Sequence, residues 1–217
     1  MNRSIRELLL WVLIILPYGY LAFIWRELPE RVPTHFNING LADDWSGKSL
    51  LLAIPSGIGF GIYLILLFIP FFDPKKKLRQ MGDKYHSLRF MMVFFISALS
   101  VYLLYATKVG HIENPQWLIA LVGLMLVMFG NYFQALRPNY FIGIRTPWTL
   151  ENEQVWRKTH FLAGRLWMAG GTLIVIASFI IRSHVPLLIT AGGILLVLVL
   201  VPVTFSFIEF RRQMQAG

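Results

Sequence analysis

At 217 residues the chain has the length of one or two soluble domains, but 56% hydrophobic and only 14% charged residues exclude an ordinary soluble protein. It contains no cysteine, which removes disulfides, thiolate nucleophiles and Cys-based zinc or iron–sulfur centres. A net charge of +9 would suggest nucleic acid in a soluble protein, so the position of that charge decides its meaning.

The apolar residues come in blocks. A helix needs about 20 of them to cross a hydrocarbon core of about 30 Å. Residues 8–25, 50–72, 90–107, 116–136, 166–181 and 186–208 meet that length, the fifth when extended by the residues before it. The sequence therefore predicts an all-α integral membrane protein, a bundle of six transmembrane helices. Arg3 and Arg6 ahead of the first block also fit a signal peptide, but the run ends in Tyr18, Tyr20, Phe23 and Trp25, and no A-x-A site follows. The first block is read as a retained span.

Between the first two spans lies the loop 26–49. Pro29 and Pro33 break any continuing helix, residues 34–38 alternate polar and apolar, and Asn39-Gly40 is a two-residue turn signal because both residues tolerate positive φ. A short extracytoplasmic hairpin is expected. Within it His35, Asn37 and Asp43 invite three readings. A metal site would need three or four ligands, and the loop has one histidine, with His111 and His184 on the same side. Asn37, Asn39 and Gly40 can serve the turn alone. Phe36, Trp45 and the neighbouring Trp25 offer amphipathic contacts to a peptide.

The loop after the second span, with Pro74 stopping the helix ahead of Lys75, Lys76, Lys77 and Arg79, suits a topology anchor. The connections at 111–115 and 183–185 are too short to fold alone. Near the inner end of the fourth span, Asn131 and Gln134 are expected to face other helices, because unpaired polar groups are costly in lipid. The segment 137–165 differs in kind. Pro, Gly, Arg, Trp and Thr alternate at short range without helix or strand periodicity, which predicts a structured cytoplasmic loop. Thr149 is the expected cap of a following helix, with Glu151 and Glu153 in its first turn. That helix carries Val155, Thr159, Leu162 and Leu166 on one face and runs into the fifth span. Gly164, Gly170 and Gly171 allow close helix approach. Arg145, beside Thr146, Pro147 and Trp148, can pair with lipid phosphate, with carbonyls freed at the helix end, or with a partner's carboxylate.

If the amino terminus lies inside and the spans alternate, Arg3, Arg6, Lys75, Lys76, Lys77, Arg79, Lys84, Arg89, Arg137, Arg145, Arg157, Lys158, Arg165, Arg211 and Arg212 are cytoplasmic. Only Arg26, Arg31, Lys48, Lys108 and Arg182 fall outside. The acids divide almost evenly, so the bias is the positive-inside pattern. It places both termini in the cytoplasm and accounts for the charge through anionic lipid, without direct nucleic-acid binding.

The run Asn139-Tyr-Phe-Ile-Gly143-Ile-Arg145-Thr146-Pro147-Trp148-Thr149-Leu150, followed by Val155, Trp156, Lys158, Thr159, His160 and Gly164, resembles the signature of the SdpI-type immunity proteins. The stretch Pro33-Thr34-His35-Phe36-Asn37, with Gly40, Asp43 and Trp45, resembles the small extracytoplasmic module of unknown function that precedes that signature in many such proteins. The resemblance implies a membrane protein conferring resistance to a secreted peptide toxin, with capture of a small transcriptional repressor as a second, signalling role. It divides the chain into a two-helix module at 1–72 and a four-helix module at 73–217. The signature residues Asn139, Gly143, Arg145, Thr146, Pro147, Trp148, Thr149, Trp156, Thr159 and His160 are then candidates for partner binding, and His35, Phe36, Asn37, Gly40, Asp43 and Trp45 for ligand binding.

The rival classes find less support. An enzyme would need an acid–base pair, a nucleophile with its base or a metal cluster, which His160 alone does not supply, and no cofactor is expected. A transporter would be expected to carry an ionisable residue inside a span, or an internal repeat; the sequence indicates neither.

Overall fold

The computed structural model describes residues 3–53, 55–74 and 76–216; Ile54 in the second predicted span and Lys75 in the basic loop lie outside them. Among the described residues, six helical segments are long and apolar enough to cross a membrane: Ser4–Ile24, Lys48–Phe72, Asp83–Val109, Pro115–Phe133, Glu153–Ile180 and His184–Gln215. All six predicted spans are present, and the chain is a multi-pass all-α membrane bundle. Most run a turn or more beyond the apolar blocks, because a helix continues past the hydrocarbon into residues that polar surroundings can satisfy. The chain forms two compact units, Met1–Leu67 with Arg89–Leu118, and Phe68–Leu88 with Ile119–Gly217.

The first unit contains α1 (Arg3–Ile24), the strands β1 (Arg31–Phe36) and β2 (Ala42–Gly47), a 3-10 turn at Lys48–Leu52, most of α2 (Pro55–Phe72) and most of a helix at Asp83–Val109. Leu10, Ile14, Tyr63 and Val93 form one core, and Leu21, Ile24, Leu28, Val32, Leu51 and Leu104 form another that reaches under the hairpin. Pro17 lies inside α1 and has no N–H for the carbonyl four residues back, that of Leu13. Ser97 supplies the missing donor, its hydroxyl 2.6 Å from the Leu13 oxygen.

The second unit follows the short α3 (Lys77–Gln80) and the start of α4 (Asp83–Val109) with most of α5 (Pro115–Phe133), α6 (Pro147–Glu151), α7 (Glu153–Ile180) and α8 (His184–Ala216). Here α5 and α7 meet backbone to backbone. A Cβ on Gly130 would lie 2.7 Å from the Gly164 carbonyl, and one on Gly123 would lie 2.8 Å from that of Gly171. Each helix thus offers two glycines seven residues apart, two turns of one face, where any larger residue would push the helices apart. Gly170 faces Leu198 and Ile194 of α8 instead. Pro202 repeats in α8 the problem of Pro17. The orphaned Leu198 carbonyl accepts the indole N–H of Trp167 at 3.0 Å.

Candidate functional site

The hairpin comes first in the chain. β1 and β2 pair antiparallel from Arg31 opposite Gly47 to Phe36 opposite Ala42, with irregular register near the turn. The turn is not the two-residue Asn-Gly form expected. Gly40 N–H bonds the Asn37 carbonyl and Asn37 N–H bonds the Leu41 carbonyl, both at 2.8 Å. Only Gly40 takes positive φ, at 76°, as a three-residue loop with its left-handed residue last requires. Asn37 Oδ1 accepts the N–H groups of Asn39 (2.9 Å) and Leu41 (3.2 Å). The tip docks on the connector after α4, where Ile112 N–H bonds the Gly40 carbonyl at 2.8 Å. Lys108–Glu27 and Lys48–Glu30 pairs, at 2.7 and 2.8 Å, tie its base.

With the hairpin anchored, its polar residues remain available. His35 Nδ1 lies 2.5 Å from Asp43 Oδ1, with side chains 67% and 43% exposed. Asp44 instead accepts its neighbour's N–H, that of Trp45, at 2.9 Å. Trp45 is exposed and its carbonyl holds Arg31. Beside the pair, Thr34, His35 and Phe36 line a cleft of about 280 Å³ completed by Leu51, Leu103, Thr107 and Ile112. Among the described residues no three His, Asp or Glu side chains converge as metal ligands.

The signature loop is built differently, as a folded clamp. Asn139 is buried and makes four bonds. Its Nδ2 donates to the carbonyls of Arg137 (2.8 Å) and Ile142 (3.1 Å), and its Oδ1 accepts from Phe141 N–H (2.9 Å) and Ile142 N–H (2.8 Å). Gly143 has φ of 109°, and a Cβ there would lie 2.5 Å from His160 Nε2. His160 donates from Nδ1 to the Trp156 carbonyl at 2.8 Å and accepts Ile144 N–H on Nε2 at 3.0 Å. Those two bonds define a neutral ring protonated on Nδ1, with neither nitrogen free for catalysis or metal binding. Trp156 stacks on it at 4.0 Å and holds the segment after α5 by donating to the Leu136 carbonyl at 3.0 Å.

The cap of the new helix is Thr146 rather than Thr149. Thr146 and Thr149 form a reciprocal capping box around Pro147 at the first helical position. The helix stops after Glu151, and Asn152 then caps α7 by accepting the N–H groups of Gln154 and Val155. The expected long helix starts there, and its buried stripe is Val155, Trp156, Thr159, His160, Ala163 and Gly164. Asn131 is exposed, contrary to expectation, because Gly130 and Phe133 take the face of α5 that packs on α7; Gln134 is exposed too but borders α7 at Gly164, as expected.

The loop is fastened to α8 by a polar stripe that the sequence reading passed over. Trp148 donates its indole N–H to Ser206, whose hydroxyl also lies 3.3 Å from that of Thr146. Lys158 pairs with Glu209 at 2.5 Å, and Asn152 donates to Gln213 at 2.8 Å. Residues 206, 209 and 213 recur every three or four positions, so the i, i+3, i+7 polar pattern was the available signal. Arg145, Pro147 and Tyr140 stay exposed, Arg145 donating to the Tyr140 carbonyl at 2.5 Å. A second unpredicted feature is an ion pair inside two span helices. Arg89, buried, reaches both oxygens of Glu7 at 3.0 and 3.2 Å, with Tyr63 alongside.

Six apolar helices with a hairpin after the first and a clamped loop before the fifth define a polytopic membrane protein with two folded inter-helical elements. Residues 135–208 match the model of the SdpI/YfhL protein family, the similarity that the signature in that segment suggested. Residues 12–59 match a domain of unknown function, DUF1648. The chain is 24% identical over 210 residues, 95% of its length and 96% of the relative's, to Immunity protein SdpI of Bacillus subtilis (strain 168). No solved structure matches it.

Proposed function

We propose that this chain is an immunity protein of the bacterial cytoplasmic membrane, protecting against a secreted peptide that meets it at the hairpin cleft. The observation that carries this reading is end-to-end similarity to an immunity protein, covering the hairpin as well as the signature loop. In this reading the Lys/Arg bias sets the hairpin outside and the loop 137–165 inside. The module 1–72 receives the peptide through His35, Phe36, Asp43 and Trp45. The module 73–217 is the effector, presenting Arg145, Pro147 and Tyr140 to a cytoplasmic repressor while the buried clamp holds them in place. Peptide contact suits the cleft because an apolar wall of Phe36, Leu51 and Ile112 adjoins the exposed, hydrogen-bonded His35 and Asp43.

The test is expression in a toxin-sensitive host challenged with the peptide encoded by neighbouring genes. Survival that is lost in a His35→Ala, Asp43→Asn double variant of normal abundance supports the reading. Unchanged killing despite correct insertion of the wild-type chain sinks immunity. Arg145→Ala should leave insertion normal and abolish repressor capture, read as loss of co-purification.

A further inference from the structure

We infer that the polar cleft at the junction of α5 and α7 binds a phosphate group, supplied by the headgroup of an anionic phospholipid. The cleft, of about 530 Å³, brings together Lys84 from the first turn of α4, Gln134 and Arg137 from the segment after α5, and Glu153, Gln154 and Arg157 from the start of α7. Three cations therefore surround one cavity with a single carboxylate on its wall.

Those cations differ from the other basic side chains around them. Lys158 is paired with Glu209, while Arg79 and Arg165 lie over the rings of Phe71 and Phe161. Among the described residues neither Lys84, Arg137 nor Arg157 forms an ion pair, and Arg137 holds only the neutral Gln80 Oε1 at 3.3 Å. Like charges converging on one space repel unless an anion joins them. Guanidinium groups and an ammonium are the usual partners of a phosphate's several oxygens, and the two glutamine amides add neutral donors.

Location selects lipid over free phosphate. α5 ends at Phe133, and the cleft is lined by the residues that follow at once, where an apolar span gives way to polar surroundings. Headgroup phosphates lie at that depth. One and two turns beyond Arg157 on the same face of α7 come Phe161, 44% exposed, and Arg165. An acyl chain can leave the cleft along that face, which a soluble anion would not need.

The experiment uses the full chain in a neutral detergent, following thermal unfolding during titration with dihexanoyl phosphatidylglycerol, dihexanoyl phosphatidylcholine, inorganic phosphate or hexaglutamate. A saturable rise in Tm is expected with phosphatidylglycerol. Its half-saturation should weaken about fivefold for each of Lys84→Gln, Arg137→Gln and Arg157→Gln, from the usual attraction between a basic residue and an anionic lipid surface. Glu153→Gln should strengthen it, and Lys76→Gln with Arg212→Gln, removing charge elsewhere, should leave it unchanged. An equal response in all variants overturns the cleft. Inorganic phosphate reproducing the rise at the same concentrations overturns the lipid source, and a response to hexaglutamate alone assigns the cleft to an acidic protein and overturns the proposal.

Discussion

The hairpin and the signature loop each rest on an asparagine that folds the chain back on itself, and the two asparagines are used in different ways. Asn37 engages two backbone N–H groups through Oδ1 at the exposed end of a two-stranded sheet. Asn139 engages both ends of its amide, makes four bonds and is 1% exposed. The same contrast runs through the neighbours. Around Asn37 the side chains of His35, Asp43 and Trp45 are exposed, whereas around Asn139 the residues Thr146, Thr149, Trp156, Thr159 and His160 are all buried. The more distinctive sequence is thus the one most occupied with its own folding. A substitution in the loop acts first on structure, and one in the hairpin acts first on what the hairpin touches.

The largest effect should come from the helix contact under the loop. Gly130→Val places a side chain where even a Cβ would lie 2.7 Å from backbone, so a loss above about 3 kcal/mol is expected, seen as loss of the folded form in detergent melts. Asn139→Ala strands two backbone N–H groups and two carbonyls and should cost about 2–3 kcal/mol, with faster hydrogen exchange at 137–149 and none at 31–47. Asn37→Ala should cost about 1 kcal/mol and raise exchange in the hairpin alone, since water can replace its bonds. Equal costs for the two asparagines would break the contrast.

A device shared by both units gives a smaller effect of similar size in each. Trp167→Phe leaves the Leu198 carbonyl unpaired and should cost about 1–2 kcal/mol; Pro202→Ala in the same chain restores a helical N–H and should recover most of it. Ser97→Ala and Pro17→Ala should behave alike at the Leu13 carbonyl. Failure of either proline substitution to rescue stability in the melt would remove the orphaned carbonyl as the explanation.

These pairs also mark where reading the sequence stops. The six spans were legible because length and apolarity suffice to find them, whatever they pack against. The hairpin was legible from Pro33 and Gly40. The donors Ser97 and Trp167 were not, since each answers a proline 80 or 35 positions away in sequence. Gly123 and Gly130 carried no signal until α7 was set against them. Thr149 competes with Thr146 as the cap; Pro147 at the first helical position is the local signal for Thr146, and the break at Asn152 shows that two helices begin there. Arg89 was read as one more inner charge, and its carboxylate partner, Glu7, lies 82 residues earlier.

The smallest stability effect should fall on the hairpin's His35–Asp43 hydrogen bond, and it separates structure from recognition most cleanly. His35 and Asp43 are both exposed, so water can replace their hydrogen bond and removing it should change stability by less than about 1 kcal/mol. The turn keeps Asn37 and Gly40, and the sheet keeps its backbone ladder. Melting temperature and exchange protection at 31–47 should therefore match the wild type in His35→Ala, while survival under peptide challenge falls. A hairpin that loosens along with protection would mean that the pair serves the fold after all, and that the difference between the two loops is one of degree.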